Sequence, residues 1–247
     1  MILTAIIGNT NTEFAWFRGQ RCTRTVRVTT MSLRSGRMPV PGRVTGVALA
    51  SVVPGLTQRF VARLSSATGL RPFVVGPRTR TGLKFRYRRD DLGADRVCVA
   101  VGAWRRFPNR DMVVFDFGTA TTVNVILREG VFAGGAILPG IQMSLDALAT
   151  ATAALPRLVP GKARSPIQHD TRSAMRAGVA CFLAGGIDGI ITRIEQQTGR
   201  SFRIVSTGGG AGAAHASVRR VRAIYPHLAR EGLAELFHLN CPGQSSH

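Results

Sequence analysis

Residues 112–130, MVVFDFGTATTVNVILREG, predict an apolar strand, a tight turn at Gly118, a second strand and a charged turn. The start of the chain repeats this order, because residues 5–19 read AIIGNTNTEFAWFRG. When Gly8 is placed on Gly118, both strands align along their length. We therefore predict an internal duplication, with two similar lobes around a cleft and a turn of each lobe facing it. Two unrelated Gly-Thr hairpins that match by chance are the alternative.

Strands and helices alternate along the chain, which predicts an α/β fold. The predicted helices lie at 56–69, 92–106, 170–198 and 228–238. Further strands are predicted at 46–53 and 202–206, and residues 132–156 are interpreted as a glycine-rich passage into a helix. Because the repeat restarts at the second hairpin, we predict an N-terminal lobe over 1–111 and a C-terminal lobe over 112–247.

The charge is strongly positive, with a formal net charge of +20. Such a charge favours polyanions, including nucleic acid and phosphorylated substrates. Lysine occurs only at Lys84 and Lys162, and the arginines are scattered along the sequence. We interpret most of them as solvated surface, with substrate steering as an alternative and nucleic-acid binding as the least favoured one.

The cysteine spacing and the length of the apolar runs indicate the cellular compartment of the protein. The four cysteines lie far apart without a C-x-x-C pair, and the five histidines show no metal-ligand spacing. This pattern argues against a disulfide framework and a zinc site. We find no apolar run long enough to span a membrane and no signal peptide, so we expect a cytoplasmic protein.

Both glycine turns have the composition of a phosphate-binding loop. Glycine lets the backbone approach closely, so backbone N–H groups can bind phosphate oxygens, and threonine hydroxyls can add donors. The candidate ligands are Gly8, Asn9, Thr10, Asn11, Thr12, Gly118, Thr119 and Thr121. The alternative is an ordinary pair of hairpins with solvated threonines.

The aligned turns differ in one carboxylate. Asp116 lies two residues before Gly118, whereas Ile6 takes the equivalent position before Gly8. A carboxylate at the end of an apolar strand needs a partner or a cation. Asp116 is therefore a candidate cation ligand, unless it caps the amides of its own turn.

Several motifs in order resemble one known family. They are GNTNTEFAWF near the start, LGADR at 92–96, DFGTATTVNVI followed by GGAILPG, DTRSAMRAG, and STGGGA. Together they resemble the type III pantothenate kinases, also called Bvg accessory factors, over almost the whole chain. The resemblance implies two ribonuclease H-like lobes of the actin-like ATPase fold, in the acetate and sugar kinase/Hsc70/actin superfamily.

The resemblance also implies an activity. It implies ATP-dependent phosphorylation of pantothenate to 4′-phosphopantothenate, the first step of coenzyme A biosynthesis. It further implies a homodimer that uses a divalent cation such as Mg²⁺ and a monovalent cation, K⁺ or NH₄⁺.

The segment Gly93-Ala94-Asp95-Arg96 resembles the substrate segment of the family. Asp95 would be the general base that accepts the proton of the pantothenate hydroxyl. Arg96 would bind the carboxylate or amide of pantothenate, because guanidinium groups favour oxyanions. Gly93 and Ala94 would let the substrate lie against the backbone, with Tyr87 near them. The alternative for Asp95 is a helix N-cap followed by a surface arginine.

Other roles follow from the same resemblance. Asp116 is similar to the ligand of the monovalent cation, with Thr119 on the ATP phosphates. Thr171 resembles a threonine that reaches pantothenate across the dimer interface, although it also stands where a helix begins. Gly208 and Gly209 suggest a close approach to the adenosine side, or a plain strand-to-helix turn.

The sequence departs from the family pattern at three places. Ile6 stands where an aspartate is expected, Glu13 where a lysine is expected, and Arg89 where a proline is expected near Tyr87. The loss of a metal-organising carboxylate lowers transition-state stabilisation. Three possibilities follow: an active kinase, a degenerate homologue with weak or no activity, and a basic regulator that binds nucleic acid.

Overall fold

The computed structural model describes residues 1–34, 36, 38–39, 42–161, 165–212, 218, 220–221 and 223–244. Contacts divide the chain into two compact units. Unit 1 comprises Met1–Asn109, Glu129–Ala133 and His227–His247, and unit 2 comprises Arg110–Arg128 and Gly134–Pro226. The C-terminal segment groups with unit 1 by its contacts, and the lobe boundary between residues 111 and 112 stays a prediction.

Unit 1 is built on a five-stranded sheet. Its strands are β1 (Ile2–Ile7), β2 (Asn11–Arg18), β3 (Arg21–Thr29), β4 (Gly46–Ser51) and β5 (Phe73–Val74). They lie in the order β3–β2–β1–β4–β5; β1, β2 and β3 are antiparallel neighbours, and β4 and β5 run parallel to β1. The sequence did not predict β3, because its arginines and threonines leave most side chains exposed at the sheet edge.

The helices begin and end close to their predicted positions. They are α1 (Pro54–Thr68), α2 (Ala94–Arg106), α3 (Ile141–Ala151), α4 (Thr171–Thr198) and α5 (Leu228–Asn240). In unit 1, α1 packs Phe60 and Leu64 into one core with Leu3 of β1. Helices α2 and α5 contact each other and β4, and α5 also contacts β1. They can approach this closely because Gly102 has no Cβ; a Cβ there would collide with the α5 backbone at Leu228.

The second sheet has the order β10–β7–β8–β9–β6. Its strands are β6 (Lys84–Phe85), β7 (Met112–Phe117), β8 (Ala120–Leu127), β9 (Val131–Pro139) and β10 (Arg203–Thr207). Strand β6 pairs with Val131 and Phe132, which like β6 belong to unit 1. The passage predicted over 132–156 is instead a strand for its first part, in which Gly134 adopts a φ of 117°.

The duplication predicted from the sequence is confirmed. Strands β1, β2 and β3 have 6, 8 and 9 residues, and β7, β8 and β9 have the same lengths. The first strand of each hairpin is also flanked by a parallel strand, β4 beside β1 and β10 beside β7. The predicted α/β class with two matching sheets is therefore correct.

Helix α4 is the longest helix of the described chain. By length and composition it could cross a membrane, since its most apolar 18-residue window has a mean hydropathy of 1.5. One such helix is weak evidence, because core helices pass the same test. Met175 and Val179 of α4 pack with Leu145 of α3 in a buried cluster of unit 2, which supports the role of a packing helix.

Candidate active site

Asp116 lies near the end of β7, a strand that is flanked by β10 and β8 in the second sheet. It stands opposite Thr122 of β8 and Thr207 of β10 in the strand register. Directly opposed residues of neighbouring strands share a face of the sheet, so both threonines flank the Asp116 carboxyl group. The three side chains offer only oxygen donors, which is the donor type that hard cations such as Mg²⁺ accept.

The glycine turn after β10 lies against Asp116. A Cβ on Gly208 would collide with Asp116 Oδ1 and would lie 2.7 Å from Phe117 O, and Gly208 adopts a φ of +88°. The N–H of Gly210 donates to Phe117 O at 2.9 Å, which fixes the turn against the end of β7. Gly209 is exposed. Only a glycine at position 208 permits this approach, so the STGGGA motif is part of the Asp116 site.

A further segment of unit 2, at Gly140, contacts the turn at Gly118-Thr119. The N–H of Gly140 donates to Thr119 O at 3.2 Å. A Cβ on Gly140 would collide with Thr119 O and lie 2.7 Å from Gly118 O. Gly118 and Thr119 themselves are exposed. Gly140 therefore packs against one side of this turn, and the backbone of Gly118 and Thr119 remains accessible to solvent.

The first turn is closed by its own backbone. The N–H of Gly8 donates to Asn11 O at 2.9 Å, and a Cβ on Gly8 would lie only 2.9 Å from that oxygen. The N–H of Thr30 donates to Thr10 O at 2.9 Å and holds the turn against the end of β3. Asn9 and Thr10 are exposed, so this turn also presents its tip to solvent.

Two of the predicted phosphate ligands point into the fold. Thr12 and Thr121 are 0% and 1% exposed, and they occupy equivalent register positions opposite Ile7 and Phe117. The hydroxyl groups of Thr12 and Thr30 are hydrogen bonded at 3.0 Å. This burial does not favour hydroxyl contacts with phosphate. Side chains alternate along a strand, so Thr122, which the sequence analysis missed, is the threonine on the Asp116 face.

Asp95 is the second residue of α2. Gly93 is the N-cap of this helix, without a side-chain cap bond, so Asp95 does not occupy the N-cap position that was its alternative. Asp95 Oδ1 accepts the N–H of Arg96 at 2.7 Å. A Cβ on Gly93 would lie 2.6 Å from the same oxygen. Glycine at position 93 thus leaves the space that the Asp95 carboxyl group occupies.

Asp95 lies at the same edge of the unit 1 sheet as the first turn. The N–H of Val52 donates to Ile7 O at 3.1 Å, directly before Gly8. The position of a Cβ on Gly93 is 3.7 Å from Val52 Cγ1. Ligands of open α/β sheets bind at the carboxyl ends of the strands, and these residues lie at that end of β1 and β4.

Burial changes the acidity of Asp95. Desolvation raises the pKa of the Asp95 carboxyl group above its usual range, and the N–H and charge of Arg96 oppose this rise. A carboxylate with a raised pKa is a stronger proton acceptor at neutral pH. The Asp95 carboxylate therefore holds a proton more readily than an exposed aspartate does.

Arg96 is held by aromatic rings. It is 5% exposed, and its guanidinium carbon lies 5.3 Å from the ring centroid of Tyr87 and 5.6 Å from that of Phe132. The Tyr87 and Phe132 rings contact each other edge to face, with centroids 5.9 Å apart. The structure thus brings the predicted residues Tyr87 and Arg96 together. No sequence motif marks Phe132, because it lies in another strand, β9.

The first hairpin has a carboxylate on its second strand. Ile6 stands directly opposite Glu13, and Glu13 Oε1 lies 3.2 Å from Nη1 of Arg230 in α5. Arg230 is 7% exposed. The sequence could not show this ion pair, because Arg230 lies at the far end of the chain.

Thr171 is the first residue of α4 and is exposed. The N-cap is its neighbour Asp170, whose Oδ1 accepts the N–H of Ser173 at 2.9 Å. These hydrogen bonds with Ser173 lower the pKa of Asp170. The N-cap of α4 is therefore Asp170, and the N-cap position that was the alternative for Thr171 is taken by its neighbour.

The duplicated hairpin sheets define a class, the α/β proteins of the actin-like ATPase fold. The crystal structure of a Campylobacter jejuni protein assigned to the Baf family of transcriptional activators has a TM-score of 0.68 at 18% identity, and covers 98% of this chain and 99% of its own. The activator of 2-hydroxyisocaproyl-CoA dehydratase from Clostridium difficile, solved with ADPNP, has a TM-score of 0.53 at 10% identity, with coverage of 99% and 96%. At these identities the likeness shows the fold alone.

Sequence similarity gives the family within this class. The type III pantothenate kinase family matches residues 2–193. The type III pantothenate kinase of Roseiflexus sp. (strain RS-1) is 34% identical over 254 residues, which cover 97% of this chain and 99% of that protein. The chain belongs to the type III pantothenate kinase family.

Proposed function

We propose that this chain transfers a phosphoryl group from ATP to pantothenate and so catalyses the first step of coenzyme A biosynthesis. Membership of the type III pantothenate kinase family supports this reaction. The observation that carries it is the start of α2, where a desolvated carboxyl group, Asp95, adjoins the buried guanidinium of Arg96. A base beside an anion-binding group is what a hydroxy acid such as pantothenate needs.

In this mechanism Asp95 acts on the hydroxyl group of the substrate. Its carboxylate accepts the hydroxyl proton while the oxygen bonds to the γ-phosphorus and ADP leaves. Arg96, held over the rings of Tyr87 and Phe132, supplies the positive charge for the substrate carboxylate. Gly93 and Ala94 let the substrate lie close to the helix start.

The glycine turns bind ATP. Backbone N–H groups of the exposed tips at Asn9-Thr10 and Gly118-Thr119 take phosphate oxygens, and Gly208-Gly209 lie toward the nucleoside. Asp116, with Thr122 and Thr207 beside it, is the proposed ligand of K⁺ or NH₄⁺. Mg²⁺, when bound, neutralises charge on the β- and γ-phosphates. No group of three or more potential ligands among His, Cys, Asp and Glu occurs among the described residues; Mg²⁺ usually needs only one or two carboxylates in addition to phosphates and water.

A homodimer in the cytoplasm is the proposed state of the protein. Unit 2 exposes large apolar side chains, including Phe182 of α4 at 64% and Ile137 of β9 at 62%. Exposed apolar surface of this kind marks contact sites. In the dimer, Thr171 would reach the pantothenate bound to the other subunit.

An assay of the purified protein tests the function. With ATP, Mg²⁺, K⁺ and pantothenate we expect 4′-phosphopantothenate and ADP in equal amounts, and no product when pantothenate is omitted. Absence of product from the wild type, with product from Ile6→Asp/Glu13→Lys, would identify a degenerate homologue. Absence from both, with DNA retention that falls steeply with salt, would favour the regulator.

A further inference from the structure

The two hairpins carry their acids on opposite strands. In the second hairpin Asp116 on the first strand faces Thr122, whereas in the first hairpin Ile6 on the first strand faces Glu13. Opposed side chains on one face have Cβ atoms about 4.5–5.5 Å apart. The Glu13 side chain is one methylene longer than aspartate, so it is long enough to bring its carboxylate to the space beside position 6.

The Glu13 carboxylate is fixed by a buried cation. Its Oε1 lies 3.2 Å from Arg230 Nη1, and the Arg230 side chain is only 8% exposed. Among the described residues, Arg230 Nε has no hydrogen-bond partner. A buried guanidinium strongly favours keeping its one carboxylate partner, so Arg230 holds Glu13 in a defined position.

The same carboxylate remains open on its outer side. The Glu13 side chain is 33% exposed, and it lies two residues after Asn11, which closes the first glycine turn by accepting the N–H of Gly8. A carboxylate that is anchored on one side and open on the other, next to a phosphate-binding turn, can bind a cation without moving.

We propose that Glu13 is the carboxylate that the first hairpin contributes to the binding of Mg²⁺ with nucleotide, in place of the one that Ile6 lacks, and that Arg230 is its positioning residue. This inference rests on the proposed nucleotide site. The carboxylate then lies on the second strand of the hairpin and not on the first, and the guanidinium group that pairs with it belongs to α5.

The test is calorimetric titration with the non-hydrolysable analogue ADPNP, in Mg²⁺ and in EDTA. We expect Glu13→Gln to weaken binding at least about tenfold in Mg²⁺ and to leave binding in EDTA within twofold. Returning the carboxylate to the first strand, in Ile6→Asp/Glu13→Gln, should restore the Mg²⁺-dependent affinity to within threefold of wild type. Arg230→Lys, which keeps the charge but not the geometry, should give an intermediate loss.

Glu231→Gln is the matched control. Glu231 lies on α5, its side chain is 32% exposed, and it pairs with Arg106 at 3.5 Å, so the substitution removes one negative charge from a glutamate that is exposed to the same degree as Glu13. We expect its ADPNP affinity to equal that of wild type in both buffers.

Two results would overturn the inference. One is a Glu13→Gln protein with unchanged affinity in Mg²⁺, and the other is an equal loss in Mg²⁺ and EDTA, which is what a purely structural ion pair would give. Should Glu13→Gln not fold, Glu13→Asp replaces it, with an expected loss smaller than tenfold but again confined to Mg²⁺. The titration contains no pantothenate, so a failure of the proposed kinase reaction would be distinguished as normal ADPNP binding in the titration with no product in the separate activity assay with ATP.

Discussion

The first hairpin, β1–β2, and the second, β7–β8, have equal strand lengths and equivalent turns, yet their chemistry differs. The second places Asp116 between two threonines, and the first places Ile6 between Glu13 and Ala50. The backbone of the repeat thus sets where a side chain can act. Which strand supplies the charge is free to differ, because opposed positions share one face.

The largest loss of activity is expected when the acid of the second hairpin, Asp116, is removed. We expect Asp116→Asn to lower kcat/KM about 100- to 1000-fold, equivalent to about 3–4 kcal/mol, because no residue opposite it can supply a carboxylate. Steady-state kinetics at varied K⁺ would measure this. Asp146→Asn, which alters an exposed carboxylate of α3, is the control; equal activity of both variants would exclude Asp116 from the reaction.

The next largest effect is expected for Asp95, the acid at the start of α2 in unit 1. We expect Asp95→Asn to lower kcat about 10- to 1000-fold with nucleotide binding retained, because the amide cannot accept the hydroxyl proton. Unchanged turnover would show that another group is the base.

The same variant gives a prediction for stability against pH. Burial raises the pKa of Asp95 in the fold, so ionisation opposes folding. This cost is absent below the pKa of the unfolded chain, about 3.9, and complete above the raised pKa of the fold. Asp95→Asn should therefore raise Tm at neutral pH, with a difference that vanishes toward pH 4; thermal unfolding at several pH values tests this. A lower Tm at neutral pH would contradict it.

The close approach of the glycine turn to Asp116 gives a smaller effect. Gly208→Ala adds a Cβ that meets Asp116 Oδ1 at a φ of +88°, which costs about 1–3 kcal/mol of backbone strain. We expect a Tm lower by several degrees and weaker nucleotide binding. Gly212→Ala, at a position where a Cβ meets nothing within 4 Å, should change neither; matching behaviour of the two variants would remove Gly208 from the site.

The smallest expected effect separates two adjacent threonines. Thr122 shares the face of Asp116, and Thr121 is 1% exposed. Thr122→Val should raise KM for ATP a few-fold and lower Tm slightly, because Thr122 Oγ1 also accepts a hydrogen bond from Asn124 Nδ2 at 3.2 Å. Thr121→Val should leave KM unchanged, because the Thr121 side chain is buried in the fold. The reverse pattern would show that the strand register assigns the wrong threonine to the site.

The sequence was informative wherever the signal is local. The strand–turn–strand order around Gly8 and Gly118, the helix that begins near Asp95, and the family motifs all predicted features that the fold and the comparisons confirm. It failed where side-chain direction mattered. Thr12 and Thr121 were counted as ligands because composition marks a turn without saying which face a residue occupies, and β3 was missed because an exposed edge strand lacks apolar alternation.

The duplicated α/β fold, the two glycine turns and the family could be predicted from the order of residues alone, because hydrophobic periodicity and glycine turns act over a few neighbouring residues. Three contacts could be seen only in the folded chain: Glu13 meets Arg230, Phe132 joins Tyr87 at Arg96, and Gly208 lies against Asp116. Such pairs join residues far apart in the chain. Their contact depends on strand order and on helix packing, which no local pattern encodes.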